Sequence, residues 1–261
     1  GTRGWKMIML KNPQEIDVLR KSNDIVAVVR DAIRDMAQAD MTTLELDHEA
    51  ENLIMKSGAK PAFKGYRGYP NTICISINDE VVHGIPGKRR LKMGDVVSID
   101  MGVLFEGFFG DSAMTFPIGE VGTGARKLIR VTEEALYRGI EECRPGRHLH
   151  DIGAAIQEHC EAAGFSVVRD FVGHGIGRAL HEDPQIPNYG TRGTGPKLVA
   201  GMVLAIEPMV NEGAPQVRIL DDGWTAVTAD GKLSAHFEHS VAVTQEGPII
   251  LSQRNSGRTE R

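Results

Sequence analysis

The chain has 261 residues, with 30 basic against 35 acidic side chains and a net charge of −5, so neither DNA nor an anionic membrane is expected as its main partner. Three cysteines, Cys74, Cys143 and Cys160, far apart and odd in number, argue against a disulfide framework or a zinc finger and for a reducing, cytoplasmic compartment. No uninterrupted apolar run reaches the length of a bilayer span, and GTRGWKM lacks the apolar middle of a secretion signal.

Taken in order, residues 1–11 are expected as a tail, with 1–6 either a vector remnant or native. Asn12-Pro-Gln-Glu15 then offers a capping residue, a first-turn proline and an N3 glutamate before Ile16, Leu19, Val26, Val29, Ile33 and Met36, the signature of a helix. Leu44, Leu46, Ala50, Leu53 and Ile54 predict a second helix stopped by Gly58. Strands follow at 72–77, 95–105 and 107–116, the last two joined at Glu106-Gly107 as a tight hairpin. From about 124 to 143 and 149 to 163 the helical pattern returns, ending at Gly164, and more strands follow. NSGRTER at 255–261 is expected as a loose tail.

The two parts are alike. LKMGDVVSID (91–100) and LVAGMVLAIE (198–207) share the pattern Leu-x-x-Gly-x-Val-[Val/Leu]-[Ser/Ala]-Ile-acid, and Leu46 to Gly58 matches Ile152 to Gly164 in spacing. This predicts one domain at 12–254, built as an internal duplication with halves near 12–121 and 122–254 rather than as a repeat array.

VVSIDMGVLF (96–105) reads as a buried strand, yet it contains Asp100. An isolated buried carboxylate costs several kcal/mol or more unless it is paired or bound to a metal. From 94 to 125 there is no Lys or Arg, and none from 198 to 217 around Glu207, so local ion pairing fails. If the halves pack by pseudo-symmetry, Asp100 and Glu207 meet, joined by Asp111 on the next strand and Glu238 in AHFEHSVAV. At contact each like-charged pair repels by about 1–4 kcal/mol. With His174, set between glycines in FVGHGIG, the set suits two divalent cations about 3.5–4 Å apart, and hard oxygen donors favour Mn, Fe, Co or Zn over copper. His48-Glu49 and His181-Glu182 lack the second histidine of His-Glu-x-x-His, and GTRGTGPK is no phosphate loop because Pro196 interrupts it.

CISINDEVVHGIP (74–86), SIDMG…GDSAMTF (98–116), GHGIGRALHEDP (173–184), AIEPM (205–209) and SAHFEHSVAVT (234–244) together closely resemble the type I methionine aminopeptidases, from Asn12 to about Leu251. The resemblance implies a mixed α/β (α+β) class, the pseudo-two-fold pita-bread fold shared with prolidase, aminopeptidase P and creatinase, with a curved antiparallel sheet flanked by helices. The short interval from His174 to Glu207 excludes the type II insertion, and a catalytic pattern starting within the first fifteen residues speaks against a prolidase-like N-terminal domain.

By the same resemblance Asp100 chelates one metal, Asp111 and Glu238 bridge both, and His174 and Glu207 complete the other. A metal-bridging water attacks the scissile carbonyl and Glu207 shuttles its proton, while the substrate α-amine docks on a metal. His181 is expected at the carbonyl oxygen and His83 near the scissile nitrogen. Tyr66, Tyr69, Cys74, Leu180 and Trp224 match an apolar slot for methionine, and Asn78 and Ser234 match a structural Na or K site. His236, where glutamine is usual, and Leu180, where phenylalanine is frequent, depart from the common pattern and leave the shape of the pocket open, though not the chemistry. The implied substrates are N-terminal-methionine peptides and nascent chains with a small second residue, handled by a monomer. Lys88-Arg89-Arg90 with Lys92 is expected as a solvated loop or, near the ribosomal exit tunnel, as a contact to RNA. Two other readings stay open: an Xaa-Pro peptidase, and a non-catalytic binding protein of the same fold.

Overall fold

A computed structural model describes residues 7–254; residues 1–6 of the tail expected at 1–11, and the tail expected at 255–261, lie outside the described residues. Lys11, at the end of the N-terminal segment, is tied down: its backbone N–H donates to Gly201 O (2.8 Å) and its ammonium pairs with Glu182. None of the described helices is long and apolar enough to cross a membrane.

The first half runs α1 (Pro13–Met36), α2 (Thr43–Lys56), β1 (Lys60–Pro61), β2 (Ile73–Ile77), β3 (Glu80–Val82), β4 (Val96–Phe105) and β5 (Phe108–Pro117). Asn12 and Glu15 close a capping box at α1, which starts where the sequence indicates, and Thr42 and Glu45 close another at α2. α1 turns Leu19, Val26, Val29 and Ile33 inward, and Ile73, Ile75, Val97, Ile99 and Met101 meet them or their neighbours from the sheet. β4 is the spine, antiparallel to β1, β2 and β5. Glu106 (φ 48°) and Gly107 (φ 82°) make the two-residue turn into β5, with both residues left-handed as a tight hairpin requires.

The second half runs α3 (Thr123–Glu141), α4 (Leu149–Ala162), β6 (Ser166–Val167), β7 (Gly173–Gly175), β8 (Glu182–Ile186), β9 (Val203–Ile206), β10 (Met209–Asn211), β11 (Val217–Ile219), β12 (Ala226–Thr228), β13 (Ser234–His236), β14 (His239–Thr244) and β15 (Gly247–Ile250). Here the spine is the shorter β9, antiparallel to β7 and β14. Leu19 and Phe108 of the first half join Ile176, Val203, Ala242 and Leu251 of the second in one apolar cluster, which welds the halves together.

Strand register makes the duplication concrete. Ile99 faces Met114 across β4 and β5 as Ile206 faces His239 across β9 and β14, so Asp100 and Glu207 hold equivalent places, as do Ala113 and Glu238. Ala113 and Glu238 also face each other: Glu238 N donates to Ala113 O (2.9 Å) and Ala113 N to Glu238 O (3.4 Å). The neighbouring contacts repeat the exchange, with Thr115 Oγ1 donating to His236 O (2.9 Å) and Ser240 Oγ to Asp111 O (2.8 Å). The pseudo-two-fold axis therefore passes between Ala113 and Glu238.

AHFEHSVAV does not form one strand: the pairing breaks at Phe237-Glu238, because β13 pairs with β10 and β14 with β9. Opposite the break stands Pro208, which has no N–H to contribute to a ladder. The break leaves Glu238 on the axis.

Candidate metal centre

Asp100 faces Ala113 and Asp111 faces Gly102, so both aspartates project from one face of the β4–β5 hairpin. Glu207 follows β9 directly, its carbonyl accepting from Asn188 Nδ2 (3.2 Å), and Glu238 stands on the axis. His174 comes from β7, squeezed between β8 and β9. A Cβ on Gly173 would lie 2.4 Å from Ala205 O, and one on Gly175 would lie 2.3 Å from Asp183 O. Only glycine permits that approach. His174 Nδ1 donates to Gly175 O (2.9 Å), which turns Nε2 toward the acids.

The four carboxylates and the imidazole expected from sequence do converge. His174 Nε2 is 3.3 Å from Glu207 Oε1, 3.5 Å from Asp111 Oδ2 and 3.8 Å from Glu238 Oε1. Among the described residues, the ion pairs these acids make are to imidazoles, not to Lys or Arg. Asp100 Oδ1, Asp111 Oδ1 and both Glu238 carboxylate oxygens are buried without a hydrogen-bond partner. Orphaned anionic oxygens at this density call for a cation. The donors fit one, since Asp111, His174 and Glu238 offer ligand atoms all within 4.8 Å of one another.

Without a metal, protons must do part of the work. Burial, then the neighbouring Asp111 and Glu207, pushes Asp100 well above the carboxylate range, and burial with Asp111 and Glu207 does the same to Glu238. Burial also works against the charge on Glu207, but His174 and His236 outweigh it and hold its pKa down at about 2. Burial opposes the charge on His174 too, yet contacts with Asp111 and Glu207 raise it to about 10.

Beside the acids opens a cavity of about 210 Å³. Tyr66, Tyr69, Cys74, His83, Leu180, His181 and Trp224, all expected from sequence, line it. Tyr69 is fixed by donation to Ile73 O (2.8 Å) and by an edge contact with Trp224. Cys74 lies opposite Asp100, and burial followed by that charge pushes its thiol up, so it serves as a neutral apolar wall. His181 hydrogen-bonds Tyr66 Oη through Nδ1 (2.8 Å), with its ring 4.2 Å from that of His174, and protein packing followed by His174 pushes its pKa down to about 4. His83, held at φ 62°, packs edge-on to Phe171, and burial lowers its pKa.

The sequence profile of metallopeptidase family M24 matches residues 17–245. A methionine aminopeptidase of Clostridium perfringens is 55% identical over 94% of this chain and 99% of its own length. The chain belongs to the methionine aminopeptidases of metallopeptidase family M24. The crystal structure of a Thermotoga maritima methionine aminopeptidase superposes with a TM-score of 0.94 at 47% identity, covering 95% of this chain and all of that one. A Pyrococcus furiosus prolidase, at 24% identity and a TM-score of 0.76, shares the fold over 97% of this chain and 66% of its own. These likenesses confirm the pita-bread fold and the type I assignment, and M24 membership implies use of a divalent metal.

Several residues of the cavity and the acid cluster carry no signal read from the sequence. Phe63, Val82, Phe171, Val172 and Met209 also line the cavity. Phe171 and Val172 could have been found from their place just before Gly173-His174. Asn23 of α1 could not: its Oδ1 accepts from Asp111 N (3.2 Å) across a contact that only the fold creates. His236, one of the two departures from the common pattern, is absent from the cavity wall and stands among the carboxylates, 3.3 Å from Glu207. Leu180 does line the cavity. Of the basic cluster, Arg89 pairs with Glu80 and Arg90 donates to Asp40 O, as befits a solvated loop.

Proposed function

We propose that this chain removes the N-terminal methionine from peptides and nascent chains with a small second residue, using divalent ions held by Asp100, Asp111, His174, Glu207 and Glu238. The observation that carries the reading is the adjacency of two environments: an acid cluster with unsatisfied oxygens, and an apolar cavity walled by Tyr69, Cys74, Leu180 and Trp224 that accepts a flexible thioether. The four carboxylates carry −4, which two ions of Mn, Fe, Co or Zn would cancel. Bound there, such ions acidify water and polarise the scissile carbonyl.

The protein groups then have separate tasks. Glu207, 3.3 Å from both His174 Nε2 and His236 Nε2 and kept ionised by the ions it would hold, takes a proton from the attacking water and passes it to the leaving amine. Tyr66 Oη donates to His181 Nδ1, which leaves Nε2–H free to donate to the substrate carbonyl oxygen as charge develops on it. His83 faces the substrate near the scissile nitrogen as a neutral imidazole. Asn78 and Ser234 contribute to a monovalent-cation site, and their closeness supports this: Ser234 N donates to Asn78 O (3.0 Å).

Incubation with Met-Ala-Ser and with Xaa-Pro peptides, with and without chelator, tests the proposal. Methionine release that stops on chelation and returns with Mn or Co is expected, and Glu207→Gln should lower kcat by about 10²–10⁴-fold. Cleavage of Xaa-Pro alone would point to a proline peptidase; silence with every metal would leave a binding protein.

A further inference from the structure

One buried nitrogen in the centre has no task in the ligand set above. His236 is only 1% exposed, and its Nε2 has no hydrogen-bond partner although Glu207 Oε2 lies 3.3 Å away. Its backbone is fixed, with His236 N donating to Thr115 Oγ1 (2.8 Å) and Thr115 Oγ1 donating to His236 O (2.9 Å). The backbone is therefore held in place, and Nε2 faces the acids, with Glu207 Oε2 its one ion-pair neighbour among the described residues.

Two observations say what it is aimed at. First, His236, Asp100 and Glu238 each offer one ligand atom, all within 4.8 Å of one another, a second triad beside that of Asp111, His174 and Glu238. Glu238 belongs to both. Second, His236 faces Met209 as Asp111 faces Gly102, so the pseudo-symmetry places His236 where the first half carries Asp111. A ligand position in one half thus recurs as a nitrogen donor in the other.

We infer that His236 is a second imidazole ligand, its Nε2 binding the divalent ion shared by Asp100 and Glu238, so that the centre carries one imidazole on each side. This rests on the reading that the acid cluster holds divalent ions. Adding a nitrogen donor shifts preference away from the oxygen-seeking Mn(II) toward Co(II), Fe(II) and Zn(II).

The test is spectroscopic and calorimetric. The cobalt-loaded wild-type chain is examined by X-ray absorption, counting imidazoles from their multiple scattering, and Co(II) and Mn(II) are titrated into wild type and His236→Gln. Two imidazoles per two cobalt ions are expected in wild type and one in the variant. Co(II) binding at one of the two sites should weaken about tenfold or more, with Mn(II) affected less. One imidazole per two cobalt ions in wild type would overturn the assignment even if the variant failed to fold. Equal Co(II) affinities in wild type and a folded variant would also overturn it. A wild-type chain that took up no cobalt would instead defeat the metal-centre reading itself.

Discussion

Asp100 and Glu207 hold the same place in the two halves, yet their ionisation is driven in opposite directions. Asp100 sits against Asp111, and burial plus that charge pushes its pKa well up. Glu207 sits between His174 and His236, which overcome its burial and hold it at about 2. The duplicated scaffold delivers two equivalent carboxylates to the axis, and the unequal neighbours decide which carries the charge. A group raised in the fold lends stability that is present below its unfolded pKa and lost as pH rises through the folded value. A depressed one lends stability that is present above its unfolded pKa and lost as pH falls toward the folded value. In chelator at pH 8, then, Asp100→Asn should stabilise the protein while Glu207→Gln should destabilise it by about 3–5 kcal/mol, because it removes a carboxylate paired with the His174 imidazolium. Urea unfolding at pH 5.5 and 8 checks the signs. Saturating divalent metal should turn Asp100→Asn into a destabilising change, since the ion replaces the proton. Equal responses of the two variants would mean that the halves are electrostatically as well as geometrically equivalent.

A second contrast lies in how each half seats its long helix. Gly110 faces Val103 in the first half as Ala235 faces Val210 in the second. A Cβ on Gly110 would lie 2.8 Å from Ser22 Oγ and 2.9 Å from the Ser22 backbone carbonyl, so α1 rides directly on β5; the buried Ala235 shows that its position accepts a methyl group. Gly110→Ala should cost about 1–3 kcal/mol by overpacking. Since α1 also carries Asn23, whose Oδ1 holds Asp111 N, the variant should bind metal more weakly as well. Unfolding and metal titration together measure this, and an unchanged metal affinity would uncouple helix seating from the site.

Much of this was legible in one dimension because it rests on chemical contradiction. Acids at 100 and 207 in apolar runs without nearby Lys or Arg cannot stay alone, and the shared pattern around them exposes the duplication. The capping box at Asn12 marks the start of α1 for the same reason: it satisfies backbone groups locally. What stayed hidden depends on register and closure. The position of His236 follows from its pairing with Met209, and the break before Glu238 from Pro208 on a facing segment some thirty residues earlier. The short strands β10–β13 have too few residues for a period to emerge, and the Asn23 contact exists only once α1 lies on β5.

The smallest effect should come from the helix starts, where the halves also differ. α1 and α2 begin with side chains that accept a backbone N–H, whereas α3 begins at Gly122, which has none. Gly122 has extended backbone (φ −62°, ψ 163°), and a Cβ there would meet nothing within 4 Å, so any residue fits. Gly122→Asp supplies the missing acceptor and places a negative charge at the positive end of the helix, and should stabilise by a few tenths to about 1 kcal/mol. Thr42→Ala, which removes such an acceptor, should cost about 1 kcal/mol. Shifts of opposite sign in the urea midpoint at constant slope would show that α3 lacks a device that α1 and α2 use. No gain from the aspartate would mean that solvent already satisfies the first turn of α3, making the two starts energetically equal despite their different sequences.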